Sequence, residues 1–274
     1  MIALEAGPAR ATVVAEAGGR IGSLIVHGEE LLVTEPRAAD ALGAPPGPFG
    51  WGIFPMAPWA GRIRRGRFNF QGKAYELPAN FPPHAIHGTI ADRPADGAER
   101  GGSISATLTW VLGPPWPFAG RVVQEVALTE TSLTLVLAVH ADDAMPVTCG
   151  WHPWWSRRLA HGGTAELDFR PEAMYERDQE GIPTGALVPP TAGPWDDCFP
   201  LPKAPITLRW PDVLEVALET DCAEVVAFTE RPYGLCLEPQ TGPPDAVNLG
   251  IHCATLAAGD SFTAWGRWTW RMLH

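Results

Sequence analysis

Short runs of alternating apolar and polar residues, many of them bounded by glycine or proline, recur along the chain. The clearest are residues 121–129 (RVVQEVALT) and 131–139 (TSLTLVLAV), which predict a hairpin about Glu130. Residues 262–272 (FTAWGRWTWRM) alternate in the same way, and helical periodicity is scarce. The 29 glycines and 29 prolines imply many turns and therefore many short strands. These features predict an all-β fold, a large antiparallel β-sandwich made as one domain of residues 1–274.

Charge and hydropathy exclude several classes of partner. A net charge of −11 argues against a nucleic acid, because a phosphate backbone attracts basic surfaces. No apolar run approaches the roughly 18 residues of a membrane span, and the N-terminus lacks the pattern of a signal peptide. Five scattered cysteines, an odd count without metal-site spacing, indicate reduced thiols. We therefore expect a cytoplasmic protein, a monomer or a homodimer, that contacts neither nucleic acid nor membrane.

A carboxylate follows a short apolar run in residues 233–248 (YGLCLEPQTGPPDAVN). Glu238 comes directly after the run and before Pro239, which predicts a buried strand that ends at this point. A carboxyl group at such a position has two interpretations. Burial would raise its pKa and make it a better base. Alternatively, it accepts hydrogen bonds from the backbone of the Pro-rich turn.

Other polar residues with the character of a binding site adjoin tryptophan or glycine. His152 lies in GWHPWW, where it is either a core histidine or a proton donor in an aromatic cup. Arg62, in APWAGRIRRGRF, offers a planar fork for two neighbouring hydroxyl groups, or is one of several surface arginines. Asp196 and Asp197 follow a tryptophan in PWDDCF.

Two histidines share a Pro-rich loop at residues 78–88. His84 and His87 in FPPHAIHG have H-x-x-H spacing, but a zinc pair on a helix would be spaced H-x-x-x-H. We favour a rigidly held His87 beside Gly88, and a metal-dependent enzyme that uses both histidines remains the alternative. Residues 38–58 form a second candidate functional loop. The remaining histidines are interpreted as surface or structural residues: His27, His140, His161, His252 and His274.

The order and spacing of these motifs resemble the aldose 1-epimerase (mutarotase) family. The resemblance extends from about residue 50 to the C-terminus, and IHG, GWHP and LEPQTGPPDA carry most of it. It implies a galactose mutarotase-like β-sandwich ("supersandwich") with a sugar site in a cleft on one sheet and no cofactor. The chain departs from many members at Gly61, where they have asparagine.

The resemblance also assigns roles. It places the catalytic base at Glu238 and the catalytic acid at His152, with Arg62, His87 and Asp196 as sugar ligands. Asp197 replaces Asp196 if the alignment shifts by one residue. The implied reaction interconverts the α and β anomers of a hexose by acid–base ring opening, with base and acid facing each other across one sugar ring. The alternatives are a phosphorylated or sulfonated hexose as substrate, and a carbohydrate-binding protein without activity.

Overall fold

The computed structural model describes residues 1–34 and 48–273. Three short helical elements are present in this part of the chain: α1 (Ala246–Leu249) and two 3₁₀ turns, Ala15–Ala17 and Arg64–Gly66. None of the helices in the described ranges has the length and hydropathy that a membrane span requires. Almost all regular structure is therefore extended.

The strands are short and follow one another closely. In the first half of the chain they are β1 (Ile2–Ala6), β2 (Ala9–Val14), β3 (Arg20–Val26), β4 (Glu29–Glu30), β5 (Ile53–Met56), β6 (Arg62–Ile63), β7 (Arg67–Phe70), β8 (Lys73–Glu76), β9 (Ala85–Ile86), β10 (Gly97–Gly101), β11 (Ser105–Leu112), β12 (Gly120–Leu128) and β13 (Ser132–Ala141). In the second half they are β14 (Met145–Val147), β15 (Gly150–Pro153), β16 (Trp155–Ser156), β17 (Glu166–Asp168), β18 (Met174–Arg177), β19 (Pro183–Val188), β20 (Asp196–Pro200), β21 (Ile206–Trp210), β22 (Leu214–Thr220), β23 (Glu224–Phe228), β24 (Gly234–Gln240), β25 (Ala254–Leu256) and β26 (Ser261–Met272).

Two antiparallel sheets form the body of the molecule. The first, which we call the site sheet, has the order β1-β2-β3-β5-β15-β24-β23-β20, with β4 beside β3 and β16 beside β24. The second, the back sheet, has the order β10-β11-β12-β13-β26-β22-β21-β17. Four short two-stranded pairs complete the fold. The expected all-β antiparallel sandwich is thus confirmed.

The alternation of apolar and polar residues along the strands places the core between the two sheets. In β13 every second residue is buried, so its leucines line one face and its polar residues the other. The hairpin about Glu130 is confirmed, since Leu128 pairs with Leu133. Trp151 and Trp155 of the site sheet meet Trp268 of the back sheet with ring centroids 6.4 Å apart. Large aromatic side chains therefore fill much of the space between the two layers.

Strands β5, β15 and β24 are buried at every residue. One face of these central strands packs on the core, and loops cover the other. This continuous burial explains why they lack the regular alternation of apolar and polar residues that β13 shows. The covered outer face is where the candidate site lies.

Three local predictions need correction. Strand β24 continues through Pro239 to Gln240, so Glu238 lies within the strand and not past its end. Proline is tolerated because β24 pairs with β15 and β16 only at Gln240 and at residues 234–235. Residues 38–58 contain β5, although positions 38–47 of that candidate loop lie outside the described residues, as does His274. The many prolines and glycines of the chain also predict an irregular region from Phe169 through Phe199, but this region contains β18, β19 and most of β20.

Candidate functional site

A pocket of about 200 Å³ opens on the outer face of the site sheet. Strands β15, β23 and β24 form its floor, and the chain segments around β6, β9 and β20 form its walls. All five predicted site residues line it: Arg62, His87, His152, Asp196 and Glu238. The other lining residues are Phe49, Gly50, Gly61, Phe81, Ile86, Trp154, Val226, Phe228, Glu230, Arg231, Tyr233, Gln240 and Pro244. Residues far apart in the chain therefore share one cavity.

Glu238 and His152 are in direct contact on the pocket floor. They lie on adjacent strands, β24 and β15, which pair at Gly150 and Gln240. The distance from Glu238 Oε1 to His152 Nε2 is 3.1 Å, and both side chains are more than 90% buried. A sugar ring does not fit between atoms this close, so an arrangement with base and acid on opposite sides of a ring would require this contact to open. The two groups lie side by side.

The environment favours uncharged forms of both groups. Burial and the nearby charge of Asp196 raise the pKa of Glu238 well above its ordinary value of 4.5, although the amide of Gln240 and Arg62 act in the opposite sense. Burial and the positive charge of Arg20 lower the pKa of His152 to about 3. An imidazole with this pKa is neutral near pH 7, whereas the expected role of catalytic acid requires a protonated His152. Both shifts favour a pair in which Glu238 carries the proton and His152 does not.

Aromatic rings hold the His152 imidazole from both sides. Phe54, its cross-strand partner on β5, stacks on it at 4.7 Å, and Trp154 stacks at 5.6 Å. The predicted cup of three tryptophans needs correction, because alternation along β15 and β16 sends Trp151 and Trp155 into the core. Trp154 alone of the three lines the pocket.

The ring of His87 packs against the imidazole of His152. The two rings meet edge-on, with centroids 5.1 Å apart and planes at 89°. His87 has φ +60°, and its N–H donates to the carbonyl of Gly61 at 2.9 Å. Burial, followed by the charges of His152 and Arg62, lowers the pKa of His87 well below 6.5. This neutral imidazole is held rigidly, as the sequence predicted from the turn at Gly88.

His84 points elsewhere. Its Nδ1 accepts the backbone N–H of Arg65 at 3.1 Å, so the proposed His84–His87 metal pair gains no support. Within the described residues, the group that brings three potential ligand atoms within 4.8 Å of one another is His152, Cys236 and Glu238. All five cysteines are free thiols.

Arg62 and Asp196 face each other at the pocket wall. Arg62 donates to Asp196 Oδ2 at 3.4 Å and to the carbonyl of Gly181 at 3.3 Å. Asp197 points away and pairs with Arg177 at 2.7 Å. Of the two candidate aspartates, Asp196 is therefore the one that lines the pocket.

Sequence reasoning missed several pocket residues. Gln240 lies two positions after Glu238 on the same strand, and period-two alternation would have placed it on the same face. Arg20 is fully buried behind Phe54 and donates to four backbone carbonyls. Phe54 and Arg231 lie just outside the motifs, on β5 and in the connection between β23 and β24. The β5–β15 register brings Phe54 opposite His152.

Solved structures with the same architecture define the fold class. A galactose mutarotase-like protein from Clostridium acetobutylicum superposes with a TM-score of 0.83, is 16% identical, and the match covers 99% of this chain and 95% of that one. An aldose epimerase homologue from C. elegans gives a TM-score of 0.82 at 16% identity, with 100% and 99% covered. The fold is that of the galactose mutarotase-like β-sandwiches.

The chain belongs to the aldose 1-epimerase family, whose sequence model matches residues 1–247. The match begins about 50 residues earlier than the motifs identified in the sequence. The protein YihR of Escherichia coli, which is uncharacterised, is 26% identical over 288 residues, covering 94% of this chain and 89% of YihR. Family membership is thus carried by most of the chain and not by the site motifs alone.

Proposed function

We propose that this protein is an aldose 1-epimerase that interconverts the α and β anomers of a hexose by general acid–base catalysis. The observation that carries the proposal is the buried Glu238–His152 pair, 3.1 Å apart, on the floor of an aromatic-walled pocket. Binding a sugar would require polar groups and flat rings, but it would not require a carboxyl and an imidazole that share one proton. Membership of the aldose 1-epimerase family supports the same activity.

The reaction needs one proton moved from O1 and one delivered to the ring oxygen O5. With the shared proton on His152, the imidazolium donates it to O5 as the C1–O5 bond breaks, and the Glu238 carboxylate takes the O1 proton. An open-chain aldehyde, a protonated Glu238 and a neutral His152 result. Rotation about C1–C2 presents the other face of the aldehyde, and both transfers then run in reverse.

The side-by-side arrangement suits this chemistry. O1 and O5 are both bonded to C1, so one edge of the sugar can meet two neighbouring groups at once. The dry environment favours the neutral pair, which is the pair present at the open-chain stage. The substrate hydroxyls would replace the direct contact between Glu238 and His152 during turnover.

The remaining pocket residues would hold the sugar. His87 lies next to His152 and would steady O5, while Arg62 and Asp196 would bind hydroxyl groups at the wall. Trp154 and Phe228 offer flat faces for the C–H groups of a pyranose ring. No cofactor is required by this mechanism.

Anomer equilibration followed by polarimetry tests the proposal. The wild-type protein should accelerate equilibration of a freshly dissolved α-hexose from a panel of neutral sugars. Glu238→Gln keeps the shape and removes the base, and should reduce the rate by about 10²-fold or more. Binding of the sugar, followed by isothermal titration calorimetry, should persist.

Glu99→Gln on the exposed edge strand β10 is the matched control and should behave as wild type. A Glu238→Gln protein with the wild-type rate would contradict the catalytic assignment. A wild-type protein that binds hexoses without accelerating equilibration would instead establish a carbohydrate-binding function.

The charges around the pocket favour a neutral hexose over a phosphorylated or sulfonated one. Arg64 and Arg65 pair with Glu180, and Arg67 pairs with Glu76, all outside the pocket. Of the four arginines in the motif, Arg62 alone lines the cavity, and Asp196 already faces it. Arg231, outside the motif, also lines the cavity, as does the neighbouring carboxylate Glu230. Parallel assays with a hexose 6-phosphate and a 6-sulfonate decide between these substrate classes, and added EDTA tests for metal dependence.

A further inference from the structure

The amide of Gln240 lies between two buried carboxyl groups. On one side its Nε2 donates to Glu238 Oε2 at 3.0 Å. On the other side Gln240 is directly opposite Glu224 in the β24–β23 register, and side chains at directly opposed positions of an antiparallel pair share one face with Cβ atoms about 5 Å apart. Gln240 and Glu224 are 1% and 0% exposed. Three buried polar side chains therefore adjoin one another beneath the pocket.

Two of their oxygens lack a donor. Gln240 Oε1 and Glu224 Oε2 are both buried without a hydrogen-bond partner among the described residues. An unpaired buried acceptor is costly, so two on adjacent side chains require an explanation. Two acceptors can bind each other only if one of them carries a proton, and an amide oxygen does not.

The other oxygen of Glu224 is fully occupied. Glu224 Oε1 accepts from the hydroxyl of Tyr175 at 2.9 Å and contacts His252 Nδ1 at 2.7 Å. A proton on this carboxyl therefore belongs on Oε2, the oxygen without a partner.

We propose that Glu224 is a positioning residue: it is protonated on Oε2, donates to Gln240 Oε1, and thereby fixes the Gln240 amide with its NH₂ group toward Glu238. This inference rests on the proposed function for its catalytic meaning. The orientation of the amide keeps Glu238 Oε2 an acceptor and leaves the mobile proton of Glu238 on Oε1. That oxygen is the one 3.1 Å from His152. If the Gln240 amide were reversed, its carbonyl oxygen would face Glu238 Oε2. The proton of Glu238 would then be held on Oε2, away from His152.

The surroundings of Glu224 agree with a protonated carboxyl. Burial raises its pKa above 4.5, while the hydrogen bonds from His252 and Tyr175 act in the opposite sense. The titratable groups that face it are Tyr175 on β18, Cys198 on β20 and His252 after α1. Burial raises the pKa of the Tyr175 phenol and of the Cys198 thiol, so both remain neutral at working pH. His252, more than half exposed, connects this cluster to solvent.

Two substitutions at Glu224 test the inference. Glutamine copies a neutral carboxylic acid, since its NH₂ can donate to Gln240 and its carbonyl can accept from Tyr175. Glu224→Gln should therefore keep kcat and the pH profile of wild type. Glu224→Leu should lower kcat by about tenfold, the size of one lost hydrogen bond between neutral groups, with KM nearly unchanged and the basic limb of the pH profile shifted.

Infrared spectroscopy gives a readout that does not need activity. Wild type at neutral pH should show the carbonyl stretch of a buried protonated carboxylic acid that Glu224→Gln lacks. Glu29→Gln is the matched control. Glu29 is also buried and contacts a histidine, His161, but its hydrogen bonds to His161 and to the N–H of Ala160 outweigh burial and lower its pKa. No protonated band should be lost in that variant.

Any of three results overturns the inference. The first is an infrared band unchanged in Glu224→Gln, and the second is a Glu224→Gln protein that loses kcat as severely as Glu224→Leu. The third is full kcat in a folded Glu224→Leu protein. A wild-type protein without epimerase activity would instead refute the proposed function, and the infrared comparison would still decide the protonation of Glu224.

Discussion

Burial acts in opposite directions on the two central ionisable residues of the pocket. It raises the pKa of Glu238 and lowers that of His152 to about 3, because each charged form loses its hydration in the dry site. The 3.1 Å contact then couples the two titrations, so the apparent pKa values belong to the pair. Both shifts widen the pH range in which the pair carries one proton, which is the number that the proposed reaction needs.

This coupling predicts a broad pH profile for kcat/KM. Activity should fall on the acid side only when the pair gains a second proton, well below the ordinary histidine value of 6.5. It should fall on the basic side only when the pair loses its last proton, well above 4.5. Polarimetric rates across the stable pH range measure both limbs, with exposed His27→Asn as a control that leaves them unchanged. An acid limb centred near 6.5 would show that His152 titrates as an ordinary imidazole.

Removing the carboxyl of Glu238 should stabilise the protein. The pKa of Glu238 is higher in the folded than in the unfolded protein. The stability that this carboxyl contributes is therefore present below its unfolded-state pKa and is lost as pH rises through its folded-state pKa. Glu238→Gln should therefore melt at a higher temperature than wild type at pH 8, with little difference near pH 4. Each kcal/mol corresponds to roughly 2–4 °C for a chain of this size. Calorimetry at the two pH values is the measurement, and a lower melting temperature at pH 8 would contradict the account.

At the scale of elements, a tight turn after β9 sets the position of His87. His87 and Gly88 both have positive φ, +60° and +75°. A Cβ atom on Gly88 would lie 2.0 Å from the carbonyl oxygen of Ala57, which is backbone and cannot yield. Glycine is therefore required here for space as well as for conformation.

Gly88→Ala should be strongly destabilising and should displace His87. We expect a loss of about 3 kcal/mol or more, since strain in φ adds to a backbone clash, together with a higher KM for the sugar. Gly102→Ala is the matched control, because Gly102 has φ +71° and its Cβ would meet nothing within 4 Å. Equal melting temperatures for the two variants would show that the close approach of Gly88 to Ala57 does not affect the stability of the protein.

The elements also show how far the sequence is informative. Hairpins with regular alternation, such as β12–β13, were predictable because each strand buries one face. The buried strand β5 was not, since IFPM is short, contains proline and lacks alternation. The extent of β24 was missed for a related reason: proline ends a central strand unless its neighbour is absent at that point, and pairing partners are not visible in one sequence.

At the scale of the whole molecule, one polar side chain joins the two sheets. Gln124 on β12 of the back sheet donates to the carbonyl of Gly19 at 2.8 Å and accepts from Trp151 of the site sheet at 3.1 Å. It is 1% exposed. Both bonds are buried, so the partners would be left unpaired without it.

Gln124→Leu should lower the free energy of unfolding by about 2–4 kcal/mol, from two unpaired buried groups. Catalysis well below the melting temperature should be nearly unaffected, because Gln124 lies in the core and not in the pocket. Denaturant titration measures the loss, and Gln179→Leu on the exposed surface is the control. A change below 0.5 kcal/mol would show that the link between the sheets is unimportant.

The fold and the five site residues could be predicted from motif order, but their geometry could not. Glu238 and His152 are 86 residues apart in the chain, and only the β15–β24 pairing makes them neighbours. The β23–β24 pairing, which is equally invisible in one sequence, explains why Glu224 escaped notice. The protonation states of Glu238 and His152 could not be predicted from the sequence either, because they depend on burial and on charges such as that of Arg20.

A crystal structure with a bound hexose tests the central claim most directly. The account predicts O1 of the sugar on Glu238 Oε1 and O5 on His152 Nε2, with the direct contact between the two side chains broken and Trp154 against the ring. A sugar bound with its anomeric carbon away from an intact Glu238–His152 contact would contradict it.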